Sequence, residues 1–140
     1  MRFEYDDGGR EQAGYRGTTG DCTCRAIAIA TGQSYEDVYY ALNRNIKARR
    51  QTKRVRGSSA RTGVPKRIIH DYLALLGWEW VPTMGIGTGC KVHLRDGELP
   101  MGSLIVNVSH HMVAVIDGVI RDTHDCSRGG SRCVYGYWTR

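Results

Sequence analysis

The side chains in this chain best suited to catalysis are one cysteine, one histidine and one aspartate, in that order along the sequence. Cys22 stands at the start of an apolar segment, His111 opens a second apolar run, and Asp122 follows shortly after it. The positive end of a helix dipole and a nearby imidazolium both favour the reactive thiolate. We therefore expect Cys22 to act as a nucleophile, His111 as its base and acid, and Asp122 as the group that orients the imidazole.

The nucleophile is expected at the first turn of a helix. The run of small and branched apolar residues over 22–31 predicts a helix that packs closely on its neighbours. Asp21 or Thr19 can cap its start, and Gly32 is expected to end it. The dipole of such a helix would act directly on the Cys22 sulfur.

Two further helices are predicted before the pattern changes. Ser34 opens the second helix, with Asp37 three residues later in a capping-box-like arrangement. Pro65 is expected in the first turn of the third helix, and Gly77 ends it. The preceding segment, at about 47–64, is predicted to be a long basic loop.

The second half of the chain is predicted to form short strands. Residues 1–20 are Gly-rich and polar, and we expect them to form an extended lead-in over the surface. Helices first and strands after indicate a single α+β domain over 1–140, with N-terminal helices packed on an antiparallel sheet. The candidate strands are 78–81, 91–94, 104–108, 111–116, 119–123 and 133–138.

A turn between the two apolar runs fixes how the histidine and the aspartate meet. Asp117 and Gly118 predict a two-residue hairpin turn. That register places His111 opposite His124 and makes Asp122 a diagonal neighbour of His111 on the same face of the sheet, within side-chain reach. His110 would face the opposite way, so we expect it at the surface or in a turn. Asp117 is expected to serve the backbone of its turn.

These motifs resemble a known family. Gly20-Asp21-Cys22 leading into Arg25-Ala26-Ile27, together with His111-Met112-Val113-Ala114-Val115 and Asp122-Thr123, is similar to papain-like cysteine peptidases. The likeness extends to C39-like peptidase domains and to small phage-encoded proteins with a similar Asp-Cys-x-x-Arg-Ala start, and it covers about a third of the chain. It implies a papain-like fold, a Cys22–His111–Asp122 triad and no cofactor.

The chain departs from that family at the oxyanion donor. Papain-like enzymes usually carry a Gln or a similar donor a few residues before the cysteine. Here Thr18 and Thr19 occupy that neighbourhood, and Gln12 lies ten residues before Cys22. Gln12, Thr19 and the backbone N–H of Cys22 are therefore the candidate donors.

Positive charge is concentrated in one segment. The net charge is +6, yet no acidic residue lies between Asp37 and Asp71, and that interval holds ten of the twenty Lys and Arg residues. Such a block attracts nucleic acid or an acidic protein, although a solvated loop has the same composition. The candidate partner-binding residues within it are Arg49, Arg50, Lys53, Arg54 and Arg56.

Five cysteines and no apolar signal segment indicate reduced thiols and a cytoplasmic protein, in the host cytoplasm if it is phage-encoded. Cys22 itself could be a buried core thiol, and Cys24 is expected in the core. No run is long enough to span a membrane. No metal is expected, although one tetrahedral zinc set is conceivable from Cys90, His93, His124, Cys126 and Cys133.

The sequence thus favours a cysteine peptidase-like hydrolase that attacks a peptide, isopeptide or other amide bond of a peptide or protein substrate. Two alternatives stay open. One is a non-catalytic module of the same fold that binds nucleic acid or an acidic protein through its basic loop. The other is a metal-stabilised structural domain.

Overall fold

The computed structural model describes residues 1–15, 20–48, 59–61 and 63–140. They form an α+β domain in which three helices pack on one face of a six-stranded sheet. The helices are α1 (Cys22–Thr31), α2 (Tyr35–Ala48) and α3 (Lys66–Leu75). The strands are β1 (Arg2–Tyr5), β2 (Glu79–Pro82), β3 (Ser103–Val108), β4 (His111–Ile116), β5 (Val119–Asp122) and β6 (Val134–Thr139), in the sheet order β1-β5-β4-β3-β6-β2.

The helices begin and end close to where the sequence predicts. Helix α1 has the predicted bounds, and Gly32 ends it in the left-handed conformation, with its N–H bonded to the carbonyl of Ala28. The Ser34 hydroxyl accepts a hydrogen bond from the backbone N–H of Asp37, at 3.1 Å, at the start of α2. Pro65 lies one position before the first residue of α3 rather than inside its first turn. Among the described helices, none combines the length and hydrophobicity that crossing a membrane requires.

The sheet is mixed, whereas the sequence predicted an antiparallel one. Strand β1 lies within the segment interpreted as a lead-in, and it pairs in parallel with β5, so that Tyr5 is the partner of Asp122. All other strand pairs are antiparallel. The predicted strand at 91–94 is reduced to an isolated bridge between His93 and Cys133.

Strand β4 is buried on both sides, as its two apolar faces predict. Met112 and Ala114 face the core formed with the helices, while Val113 and Val115 belong to a second core on the opposite face. Helix α1 packs directly over β4 and contributes Ile27, which is fully buried. The helix that begins with the thiol is therefore fixed against the strand that begins with the histidine.

Two cysteines depart from the reduced state expected from the sequence. Cys90 and Cys133 form a disulfide that closes a loop with a sequence separation of 43. The neighbouring backbone is also paired, because Leu94 donates to the carbonyl of Arg132 and Val134 donates to that of Val92. The bridge thus ties the loop that covers the second core to the start of β6. Cys22, Cys24 and Cys126 are free thiols.

Candidate active site

Three element ends converge at one end of the sheet. Cys22 is the first residue of α1, His111 is the first residue of β4, and Asp122 is the last residue of β5. Because β4 and β5 are antiparallel, the start of one lies beside the end of the other. The packing of α1 over β4 brings the start of the helix to the same place.

The register between β4 and β5 is the one the Asp-Gly turn predicts. Ala114 pairs with Arg121 and Val115 pairs with Ile120, so the continued register sets His111 opposite His124. The two histidine rings have their centroids 5.3 Å apart. Nε2 of His111 lies 2.6 Å from Oδ2 of Asp122. The diagonal contact inferred from the hairpin is therefore present.

The Cys22 thiol is half-buried and faces the imidazole. Burial works against its ionisation, but a hydrogen bond with His111 and the positive charge of that ring outweigh burial, so the pKa of the Cys22 thiol lies below its ordinary value. The backbone N–H of Met112 and the charge of Arg25 act in the same direction. A sulfur held in this way ionises more readily than an ordinary cysteine thiol.

His111 and Asp122 are the other half of this charge arrangement. Burial disfavours the imidazolium, yet hydrogen bonds with Asp122, Cys126 and Cys22 raise the pKa of His111 to about 11. Burial also opposes ionisation of Asp122, but the hydrogen bond and charge of His111, together with the backbone N–H of Thr123 and the charge of Arg25, hold its pKa below the ordinary range. These pKa shifts therefore favour the charged form of each group: a thiolate, an imidazolium and a carboxylate.

A buried ionic cluster that was not predicted from the sequence supports the aspartate. Arg25 is only 6% exposed. One end of its guanidinium lies 2.6 Å from Oδ1 of Asp21, and the other lies 3.3 Å from Oδ1 of Asp122. Tyr35 donates its hydroxyl to Oδ2 of Asp21 at 2.7 Å. A charged residue within an otherwise apolar helix was the signal in the sequence that pointed to such a cluster.

The same cluster corrects the predicted cap of α1. Asp21 occupies the N-cap position, but its side chain makes no capping hydrogen bond. Its carboxylate is completely buried and is taken up by Arg25 and Tyr35 instead. Thr19, the other candidate cap, lies outside the described residues.

A cleft of about 730 Å³ opens beside the thiol. Helix α3, the β3–β4 turn and the ends of β2 and β6 form its walls. Its lining includes Cys22 and His111 together with an aromatic group made by His70, Trp80 and Trp138. A volume of this order suits a small ligand or a few residues of a peptide.

The candidate oxyanion donors differ in their position relative to the cleft. Gln12 is exposed in the turns of residues 8–14, and it does not line the cleft beside Cys22. Thr19 lies outside the described residues, so its role stays a prediction. The backbone N–H of Cys22 is at the start of α1, where the first amides of a helix lack partners within the helix.

Three other residues, Cys24, His110 and Asp117, have the environments predicted from the sequence. Cys24 is fully buried, and burial, reinforced by the charge of Asp21, raises its pKa to about 12. His110 is exposed in the turn between β3 and β4, with a φ of 55°. The carboxylate of Asp117 accepts a hydrogen bond from the backbone N–H of Gly102, so Asp117 serves its turn and not the imidazole.

The basic loop can be compared with the structure only at its ends. Helix α2 continues to Ala48, so the first part of the predicted loop is helical, and Ser59 and Gly63 form a short antiparallel bridge. The candidate partner-binding residues lie outside the described residues, and their role stays a prediction. They are Arg49, Arg50, Lys53, Arg54 and Arg56.

The zinc set considered from the sequence is not assembled, because Cys90 and Cys133 are joined to each other. A different trio could hold an ion, since His111, Asp122 and His124 offer ligand atoms within 4.8 Å of one another. Both oxygens of Asp122 are already engaged, one by His111 and one by Arg25 and the N–H of Thr123. An ion there would have to displace those contacts.

Comparison of the chain with protein-family models, with curated proteins and with solved structures finds no significant match.

Proposed function

We propose that this protein is a cysteine peptidase-like hydrolase with a papain-like fold. One observation carries the proposal: Cys22 and His111 line the same cleft, where the imidazole lowers the pKa of the Cys22 thiol, and Oδ2 of Asp122 lies 2.6 Å from Nε2 of that imidazole. The cleft beside the sulfur gives a carbonyl substrate access to it. The order of the elements supports the papain-like fold, because a helix that begins with the cysteine packs on the strand that begins with the histidine.

The reaction follows from the charges. The thiolate of Cys22 attacks the carbonyl carbon of an amide, and the carbonyl π-electron pair moves to oxygen to give a tetrahedral oxyanion. As the C–N bond breaks, the imidazolium of His111 donates its proton to the leaving nitrogen, which departs as an amine. The enzyme is left as a thioester on Cys22. Because Asp122 occupies Nε2, the ring nitrogen available for this proton transfer is Nδ1.

Water completes the cycle. The neutral imidazole of His111 removes a proton from a water molecule as its oxygen attacks the thioester carbonyl. That proton restores the imidazolium. Collapse of the second tetrahedral intermediate then expels the Cys22 thiolate and releases a carboxylic acid. The backbone N–H of Cys22, at the positive end of α1, is suited to stabilise the oxyanion in both steps.

The test is hydrolysis of a mixture of peptides of diverse sequence, followed by mass spectrometry in the presence of a metal chelator. We expect cleavage by the wild-type protein and none by a Cys22→Ala variant, while the matched Cys24→Ala variant retains cleavage if it remains folded. A thioester intermediate on Cys22, trapped with an activated ester, would identify the nucleophile directly. Cleavage that survives Cys22→Ala would refute the proposal.

A further inference from the structure

An unsatisfied amide lies in the cleft wall near the thiol. The side-chain oxygen of Asn107 is buried and has no hydrogen-bond partner. Burying such a group without a partner costs free energy, and a ligand group that reached the amide would recover part of that cost. Asn107 lines the cleft, and an amide there can accept from an N–H and donate to a carbonyl oxygen.

Strand register sets this amide close to the sulfur. Asn107 is the cross-strand partner of Met112, and the backbone N–H of Met112 is close enough to the Cys22 sulfur to lower the pKa of that thiol. Directly paired residues in a sheet have Cβ atoms about 4.5–5.5 Å apart. A peptide group bound by Asn107 would therefore lie next to the reacting carbonyl.

An aromatic wall stands on the other side of the amide. The rings of Trp80 and Trp138 have their centroids 5.4 Å apart, and the ring of His70 lies 4.6 Å from that of Trp138. A Cβ at Gly136 would clash with the Trp80 ring and lie 2.9 Å from the carbonyl oxygen of Val81. Gly136 thus lets the Trp80 ring approach β6 closely, and it is also the β6 partner of Asn107.

The charge of the cleft is consistent with an apolar ligand. Its described lining contains no carboxylate, and Lys66 is its one residue that is cationic regardless of histidine protonation. Ile69, Val108 and Met112 add apolar surface to the rings. A basic substrate side chain would meet no counter-charge here, whereas a large apolar one would bury its surface against the tryptophans.

We infer that the cleft is a subsite for a peptide with a bulky apolar or aromatic side chain flanking the scissile bond. The aromatic wall binds that side chain, and the amide of Asn107 binds the adjacent peptide group. This inference rests on the proposed function for its position beside a reacting carbonyl. The subsite itself can be tested without turnover.

The binding test uses the Cys22→Ala protein and N-acetyl dipeptide amides that differ only in carrying Phe, Gly or Lys. We expect the Phe ligand to bind about tenfold or more tightly than the Gly ligand, measured by tryptophan fluorescence and by NMR titration. Trp80→Ala should abolish this preference. Asn107→Leu should weaken Phe and Gly ligands by a similar factor, and Tyr40→Ala, outside the cleft, should change neither.

Equal binding of the three ligands, or a preference that survives Trp80→Ala, would overturn the subsite. The same peptides offered to the active protein separate the two proposals. Selective binding without cleavage would retain the subsite and refute the hydrolase. Cleavage without enrichment of bulky apolar residues beside the broken bonds would retain the hydrolase and refute the subsite.

Discussion

Nε2 of His111 and Oδ2 of Asp122 lie 2.6 Å apart, although eleven positions separate the two residues in the chain. The contact is diagonal across the β4–β5 hairpin. The backbone of Asp122 is held on its other side at the end of β1, because Tyr5 is its strand partner and the N–H of Asp6 donates to its carbonyl. The carboxylate therefore has a fixed position from which it can orient the imidazole and stabilise its positive charge.

Replacing that carboxylate by an amide should separate its two roles, which are to orient the imidazole and to stabilise its positive charge. We expect Asp122→Asn to lower hydrolysis by about 10²–10⁴-fold, because the imidazolium loses its buried counter-charge. The pKa of the Cys22 thiol should rise at the same time, which alkylation rates measured against pH would detect. Asp125→Asn is the matched control, since Asp125 is exposed and bonds the backbone of Ser127. An unchanged alkylation profile in Asp122→Asn would contradict the assigned role.

The same pair should make the free energy of unfolding depend on pH. The pKa of Asp122 is lowered in the folded protein, so its contribution is present above about 3.9, its unfolded value, and is lost as the pH falls through the folded value. His111 is raised to about 11, so its contribution is complete below its unfolded pKa of about 6.5 and is lost as the pH rises toward 11.

Thermal unfolding measured across pH checks this linkage. The wild-type protein should lose stability in acid and in alkali, and both slopes should become shallower in a His111→Gln, Asp122→Asn double variant. If stability changed with pH at the same rate in both proteins, the pH dependence would not come from His111 and Asp122.

Arg25 should be required for folding stability. It lies between two buried carboxylates, so Arg25→Met leaves Asp21 with only the more distant Arg10, at 3.5 Å, and Asp122 with only His111. We expect a loss of about 3–5 kcal/mol in the free energy of unfolding, measured with urea. The exposed Arg2→Met should change little, and adding Asp21→Asn to Arg25→Met should recover part of the loss. A change in Arg25→Met no larger than that in Arg2→Met would argue against the cluster.

The disulfide can be tested by thiol counting. Without reductant, the denatured protein should titrate as the three free thiols Cys22, Cys24 and Cys126, and after reduction as all five cysteines. Reduction should lower the free energy of unfolding by about 2–4 kcal/mol, because the closed loop restricts the unfolded chain. Cys133→Ser should reproduce that loss and leave Cys22 alkylation unchanged. Five thiols titrating without reductant would exclude the bridge.

The local features were readable from the sequence. The bounds of α1 follow from Gly32 and the small apolar residues before it, and the His111–Asp122 contact follows from the turn at Asp117-Gly118, where the φ angles are 47° and 78°. Such a turn fixes hairpin register, and register fixes which side chains meet.

The features that were not foreseen depend on distant parts of the chain. Strand β1 is four residues long and pairs with a strand more than a hundred positions away, so its polar sequence carries no local signal. The pairing of Cys90 with Cys133 could not be read from spacing. The Asp21 cap was wrong because Arg25, one turn later, competes for the same carboxylate.

The central claim is that Cys22 is ionised by its contact with His111, and the rate of alkylation at each cysteine measures this most directly. Native protein treated with iodoacetamide between pH 5 and 9 and analysed by peptide mass spectrometry should be modified at Cys22 far faster than at Cys24 and Cys126, starting below the pH at which an ordinary thiol reacts. His111→Ala should move that onset upward. Alkylation of Cys22 no faster than that of the buried thiols, or with the same onset after His111→Ala, would contradict the account.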